Sequence, residues 1–374
     1  MVRRDSGSWP LRRVAGVGMV LTILVAACSG GATTPPSAAP TAAAPSAPAE
    51  SAAPSVAADP IADLKAKLEG QTLNVGSSAS PNASVIGFFK TLQFLEEDFG
   101  VKVEEQLLDS DPLIAALIAE QLQVGQLSLA GTANANANGG NFGAFGVNDQ
   151  KNPFVVAARK PTATLEELRG KTFGATSNLN QITGQTARKC LQSVNIDIEK
   201  DVQLIRFNNT GEATAAIRSG QVVGGISATF RLTRIILEEG DVIQILCFGK
   251  DANPQISSVW MADRDWISQN QDMALALIIS EIKAARWSKE DKAGWIALAN
   301  EVIEDYSDEA GEIDYESLVV DLDNWPVNGG LDRTMCQQTL DTSFEFTAIP
   351  EKLQCEDIAD FSFQEKALEI LGQE

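Results

Sequence analysis

Residues Leu165–Phe230 read LEELRGKTFGATSNLNQITGQTARKCLQSVNIDIEKDVQLIRFNNTGEATAAIRSGQVVGGISATF. Short β-type runs alternate here with helix-forming segments. Thr172–Ala175, Val202–Phe207 and Val222–Ala228 predict strands, while Gln181–Ser193 and Glu212–Ser219 predict helices, the second stopped by Gly220. Alternation at this pitch argues for βαβ units on a mainly parallel sheet. Ligands of such sheets sit in the crevice outside the carboxyl ends of the strands. The turns that follow strands are therefore the first candidates for a site.

The pattern extends upstream. Leu73–Gly76, Val101–Leu107 and Leu127–Ala130 predict strands separated by helices at Ser84–Phe99 and Pro112–Gln123. Val85, Phe88, Phe89, Leu92, Leu95 and Phe99 fall on one helical face, the spacing of a core-facing stripe. Residues Gly131–Gly146, rich in Gly and Asn, predict a loop, since both residues tolerate left-handed backbone. Pro153–Arg159 and Ser257–Ala262 predict strands that carry the chain between two lobes. Downstream, Leu232–Glu239, Asp272–Trp287, Lys292–Ile303, Asp332–Phe346 and Phe363–Leu371 predict helices. The acidic segment Glu301–Glu316 lacks the spacing of a calcium loop and reads as a solvated surface.

The segments LEELRGKTFG, VNIDIEKDVQLI and AAIRSGQVVGGI resemble the second lobe of type II periplasmic solute-binding proteins. The resemblance runs from about Ile61 to the C-terminus. It is nearest to the nitrate, sulfonate, taurine and thiamine-precursor (NMT1/THI5-like) branch, the receptors of ABC importers. It implies an α/β fold of two lobes, each a mainly parallel sheet flanked by helices, with a hinge between. Lobe one would take residues 61–157 and 258–374, and lobe two residues 158–257. The implied partners are a small solute and the ABC permease, for a monomer without cofactor or metal.

The N-terminus reads as an address. Arg3, Arg4, Arg12 and Arg13 precede an apolar run, Val14–Val25, too short to span a bilayer comfortably. Leu24–Cys28 resembles a bacterial lipobox, which implies a signal peptide over 1–27 and lipid on Cys28. Residues 28–60 are mostly Ala, Pro, Ser and Thr, with too little apolar surface to fold, and read as a tether.

The formal charge is −21, and loss of residues 1–27 with four Arg and one Asp leaves about −24. Such acidity excludes recognition of nucleic acid or an anionic membrane face by clustered basic residues, leaving membrane association to the lipid anchor. The chain has no His, which removes His general bases, Ser-His-Asp triads and His metal ligands. Thiamine-precursor synthases related to the resembled branch need an active-site His, so that chemistry is excluded. Apart from Cys28, the cysteines are Cys190, Cys247, Cys336 and Cys355, and no C-x-x-C occurs. Three disulfide connectivities are possible. Proximity in sequence favours Cys336–Cys355, which leaves Cys190 and Cys247 either paired or as buried thiols.

Candidate ligand contacts fall on turns after strands. Ser77, Ser78 and Ser80 match the first-lobe contact loop of the resembled family. Thr132 and Asn134 hold the equivalent place after the third strand. Ser177, Asn178, Asn180, Thr183 and Gly184 lead into a helix whose free N–H groups suit an anion, with helix capping accounting for one of the polar side chains. Thr229, Phe230 and Arg231 follow the last strand of the stretch. Arg231 is either a bidentate partner for a carboxylate or sulfonate or an exposed helix residue. Phe230 or Trp260 would suit a planar ligand, although aromatics more often fill cores.

The leading function is an importer receptor that closes two lobes on a solute. An enzyme on the same fold, such as a porphobilinogen-deaminase-like transferase, would need a reactive Cys or carboxylate pair, and no activating base accompanies Cys190 or Cys247. An anchored sensor is a third possibility. Nitrate, alkylsulfonates, taurine, aromatic carboxylates and pyrimidine precursors all remain open as ligands. The lipobox gives a direct test: radiolabelled palmitate fed to a bacterial host should label the wild type, and Cys28→Ala should lose both the label and the membrane fraction.

Overall fold

A computed structural model describes residues 59–374 apart from 78–80, 109 and 241. The signal assignment, Cys28, Ser78, Ser80 and residues 28–58 of the expected tether lie outside the described residues, while Asp59 and Pro60, expected as its end, cap and open the helix Pro60–Leu68. No helix among the described residues is long and apolar enough to cross a membrane.

Among the described residues, ten strands form two five-stranded sheets. β1 (Thr72–Ser77), β2 (Lys102–Leu107), β3 (Val124–Leu127), β4 (Phe142–Asp149) and β10 (Ser258–Asp263) make the first, in the order β2-β1-β3-β10-β4. β5 (Phe154–Arg159), β6 (Thr172–Thr176), β7 (Gln203–Phe207), β8 (Gly224–Ala228) and β9 (Ile243–Phe248) make the second, in the order β7-β6-β8-β5-β9. The two sheets repeat one topology. Three parallel strands in each carry an antiparallel fourth, β10 against β3 and β5 against β8. This is the two-lobed α/β architecture expected.

The crossings differ in detail from the expectation. Val155–Arg159 was expected to span the lobes, with lobe one ending at 157. Instead β5 lies wholly in the second sheet, paired with β8 and β9, and the outward crossing is residues 150–153. The apolar run of β5 is buried on both faces, as a central strand requires. The return crossing is residues 253–257, before β10 enters the first sheet between β3 and β4.

Each lobe buries its own apolar clusters between sheet and helices. In the first lobe the helix Ile86–Phe99 buries Phe88, Leu92, Leu95 and Phe99 against the sheet and the helix Gln271–Glu290. Gly100, in left-handed backbone at φ 68°, ends the first of these helices as expected. Trp260 is fully buried and stacks on Phe88 with centroids 5.5 Å apart. It is a core residue and not a ligand platform. In the second lobe Phe173, Cys190, Leu191 and Ile226 centre a separate core.

Residues 131–146 contain no long loop. Leu129–Ala137 is a helix, and its last turns lead through Gly139 at φ 97° into β4. Ser128 caps the helix by accepting from the Gly131 N–H at 3.0 Å. The Asn136 side chain then accepts from Phe142 N at 2.7 Å and donates to Phe142 O at 2.8 Å. Alanine's helix propensity and these local hydrogen bonds outweigh the turn composition.

Both disulfides form. Cys190–Cys247 ties the helix Ile182–Gln192 to β9, and Cys336–Cys355 closes the C-terminal segment. Peptide mapping without reduction should recover exactly these two cross-links. Replacing Cys190 and Cys247 together with Ala should lower the unfolding free energy by about 2–5 kcal/mol, as read by urea denaturation.

Candidate functional site

The turns after β6 and β8 are organised very differently. After β6, the Asn178 side chain accepts from Asn180 N at 2.9 Å, a local turn bond. Asn180 Nδ2 donates to Thr347 Oγ1 at 3.1 Å, and its Oδ1 accepts from Arg188 at 3.3 Å. Thr183 neither caps the helix nor faces open space: its hydroxyl pairs with Thr176 Oγ1 at 2.7 Å, and Gln181 holds the cap position. Gly184 has a packing role, because a Cβ there would overlap the Leu179 backbone. Ser177 is exposed, and its carbonyl accepts from Arg206 at 2.9 Å. This turn is thus largely engaged with protein, including the C-terminal segment of the first lobe.

Two further candidates are internal. Thr132 is fully buried and bonds Ser128 O at 3.2 Å and Met261 Sδ at 3.3 Å. Asn134 donates to Ala348 O. Both sit on the helix that replaces the expected loop, which turns them toward neighbouring elements. Ser77 ends β1 buried, and its hydroxyl donates to Gln126 Oε1.

After β8, by contrast, the chain opens onto a cavity of about 520 Å³. Asn82 and Ala83 of the first lobe line it, with Gly211, Thr214, Phe230, Arg231 and Thr233 of the second. Ala310 and Asp314 of the helix Asp308–Tyr315, with Tyr306 from the connection before it, close it. The helix Thr229–Glu239 begins at Ala228 without a side-chain cap, and the first N–H, that of Thr229, donates to Pro153 O at 3.2 Å. The Thr229 hydroxyl is buried there with no hydrogen-bond partner. Arg231 is half-buried, with Nε donating to Thr210 Oγ1 at 3.1 Å and the guanidinium 5.5 Å from the Phe230 ring centre. Burial lowers its pKa from the usual value, and no carboxylate pairs with it among the described residues.

Asp314 takes hydrogen bonds from Thr233 Oγ1 at 2.6 Å and Tyr306 OH at 2.7 Å. Burial pushes its carboxyl up to about 6, against the pull of those two donors. Since Thr233 belongs to lobe two and Asp314 to the C-terminal layer, this contact bridges the lobes. Expected as solvated surface, Tyr306 and Asp314 are instead half-buried and fully buried.

Near the outward crossing, Asp149 ends β4. Asn324 Nδ2 donates to it at 2.8 Å, and Gln126 Nε2 lies 3.5 Å from its other oxygen. Burial raises its pKa from 3.8 to about 7, opposed by the Asn324 bond. Glu281 is also raised well above its usual value, by burial and by the Asp149 charge.

The chain matches the family model described as "ABC transporter, phosphonate, periplasmic substrate-binding protein" over residues 74–278, more than half its length. It belongs to this family. The protein is therefore the periplasmic substrate-binding component of an ABC importer. No curated protein matches by sequence. Among solved structures, the alkanesulfonate-binding protein SsuA from Xanthomonas axonopodis pv. citri bound to MOPS matches at TM-score 0.62 and 15% identity, over 78% of this chain and 99% of that one. The aliphatic sulphonate binding protein SsuA from Escherichia coli matches at TM-score 0.60 and 17% identity, over 77% and 91%. The nitrate-binding protein NrtA from Synechocystis PCC 6803 matches at 0.62 and 10%, over 81% and 89%. These likenesses establish a shared fold.

Of the residues expected as ligand contacts, Phe230 and Arg231 line this cavity, together with Asn82, Thr233, Tyr306 and Asp314, which were not expected there. Asn82 adjoins the Ser77–Pro81 turn, which was legible, whereas Asp314 carries no local signal because its burial depends on a helix packed from far along the chain.

The Asp149 shift makes stability pH-dependent. A carboxyl raised on folding contributes stability fully present below its unfolded pKa and lost as pH rises through the folded value. Stability should thus fall by about 2–3 kcal/mol between pH 5 and 8 through this group. Urea denaturation at both pH values should show most of that difference vanish in Asp149→Asn.

Proposed function

We propose that the protein is a lipid-anchored receptor that captures a small organic anion in the cavity between Asn82 and Arg231, and hands it to the ABC permease. The observation that carries this is Arg231. A guanidinium held half-buried without a carboxylate is costly unless an anion completes it. Its planar fork suits a carboxylate, sulfonate or phosphonate bidentately. The helix that carries Phe230 and Arg231 has no side-chain cap at its start, which suits an anion nearby. A volume of about 520 Å³ falls in the ordinary range for small-molecule sites.

On this reading Cys28 bears the lipid and residues 28–60 form the tether. Lobe one takes about 61–150 and 257–374, and lobe two the residues between. Binding and release follow lobe movement, with no chemistry performed on the solute and no second copy required. Among the expected contacts, Phe230 and Arg231 are retained, with Asn82 added from the first lobe.

Isothermal titration with ethanesulfonate and ethylphosphonate tests the proposal. At least one should bind, and Arg231→Met should weaken it by about tenfold or more with little change in the ligand-free melting temperature. Unchanged affinity in that variant would place the anion elsewhere.

A further inference from the structure

A second, much smaller cavity lies inside the first lobe, beside the end of β4. It measures about 10 Å³, about the least room that one water molecule needs. Asn148 of β4, Glu281 of the helix Gln271–Glu290, Thr91 of the helix Ile86–Phe99 and Trp325 line it. Asn148 and Glu281 are 2% and 7% exposed, and Asn148 Nδ2 and Glu281 Oε2 are buried without a hydrogen-bond partner. Two glycines make room for these groups. A Cβ on Gly87 would overlap the Trp325 indole, and one on Gly146 would come within 2.8 Å of Glu281 Oε2.

Charge decides which of these groups donate. Asp149 follows Asn148 in β4, and its charge bears on Glu281. No Lys or Arg pairs with either carboxyl among the described residues. Two buried carboxyls that repel each other cannot both stay ionised without a cation. Asp149 accepts from Asn324 Nδ2 at 2.8 Å, which favours its charged form. Glu281 has one backbone donor, the Val147 N–H, and a bare second oxygen, so the proton belongs on Glu281. Its O–H and Asn148 Nδ2 are then two donors with no acceptor between them. Thr91 spends its own proton on Gly87 O at 2.7 Å, which leaves its oxygen to accept. Two donors and one acceptor around room for a single water match the three bonds that a buried water makes. A metal ion does not suit, because the Asn148 amide and the Trp325 indole bring N–H groups to the cavity.

We propose that this cavity binds one water molecule, which accepts from Asn148 and from Glu281 as a neutral carboxylic acid and donates to Thr91. The water joins β4 to two helices of lobe one immediately before residues 150–153 carry the chain across. It is a positioning element for the first lobe's side of the hinge, built from residues outside the Arg231 cavity. The proposal is independent of the solute read into that larger cavity.

A high-resolution crystal structure of the protein should show a single peak about 2.7–3.2 Å from Glu281 Oε2, Asn148 Nδ2 and Thr91 Oγ1. No peak, or a peak with the coordination of a metal ion, would overturn the proposal. Glu281→Gln, which keeps a neutral donor, should retain the peak, and Glu281→Leu should lose it. A water that persists in the Leu variant rules Glu281 out as its holder and sinks the proposal. Protonation has its own readout. At about pH 8.5, above the Asp149 value of about 7, the infrared C=O stretch of a buried carboxylic acid should be present in the wild type and absent in Glu281→Gln. Identical bands in the two would overturn the acid assignment and the proposal with it. If Glu281→Leu gives no cooperative melting transition, the wild-type map and the Gln variant decide by themselves.

Discussion

Asn152 holds the two crossing segments together. Its Nδ2 donates to Asn253 O at 2.8 Å, joining outward and return strands, and to Thr186 Oγ1 at 2.8 Å, fixing both to the helix Ile182–Gln192. Asn253 donates to the same hydroxyl at 3.2 Å. On the other side, Asn324 bonds Asp149 through its side chain and accepts from Gln150 N at 3.1 Å through its carbonyl. The hinge is thus short and clamped by amides at both ends, in surroundings where an unmade hydrogen bond costs about 1–3 kcal/mol. Everything that joins the sheets covalently runs through it, and the relative placement of the cavity walls depends on it.

The lobes also meet away from the hinge, through side chains of the C-terminal helices. Asp314 meets Thr233 on one flank, while Lys189 pairs with Glu345 at 3.0 Å and Asn180 with Thr347 on the other. These contacts differ in kind. The Lys189–Glu345 pair is partly exposed and worth little in water. The Asp314 contact is buried and takes a hydroxyl donor on each oxygen, one from each lobe.

Within the site, burial separates engaged polar groups from those left incomplete. Thr183, Asn180 and Asn178 looked like donors for an anion because they lead into a helix. Each has a protein partner, and Gly184 serves the close approach of that turn to its own helix. Arg231 lines the cavity and is bonded to protein through Nε, which leaves the rest of its guanidinium for a solute. An open donor in a cavity is a better pointer to a ligand than a donor in a motif.

Periodicity along the chain determined the two-sheet α/β fold, since alternation of strand and helix at this pitch admits few packings. It also located the helix stop at Gly100 and the strand turns that could bear a site, and the absence of His excluded whole classes of chemistry. Tertiary structure decided the rest. Whether Gly131–Gly146 formed a loop or a helix turned on a Ser128 cap and on Asn136 reaching Phe142. Which turn remains open turned on contacts with residues more than a hundred positions away, Thr347 for Asn180 and Met261 for Thr132. Asp314 became a buried carboxylate only because its helix packs over the start of another lobe's helix. Local sequence sets propensity and spacing, whereas burial and the partner of each polar group are properties of the packed whole.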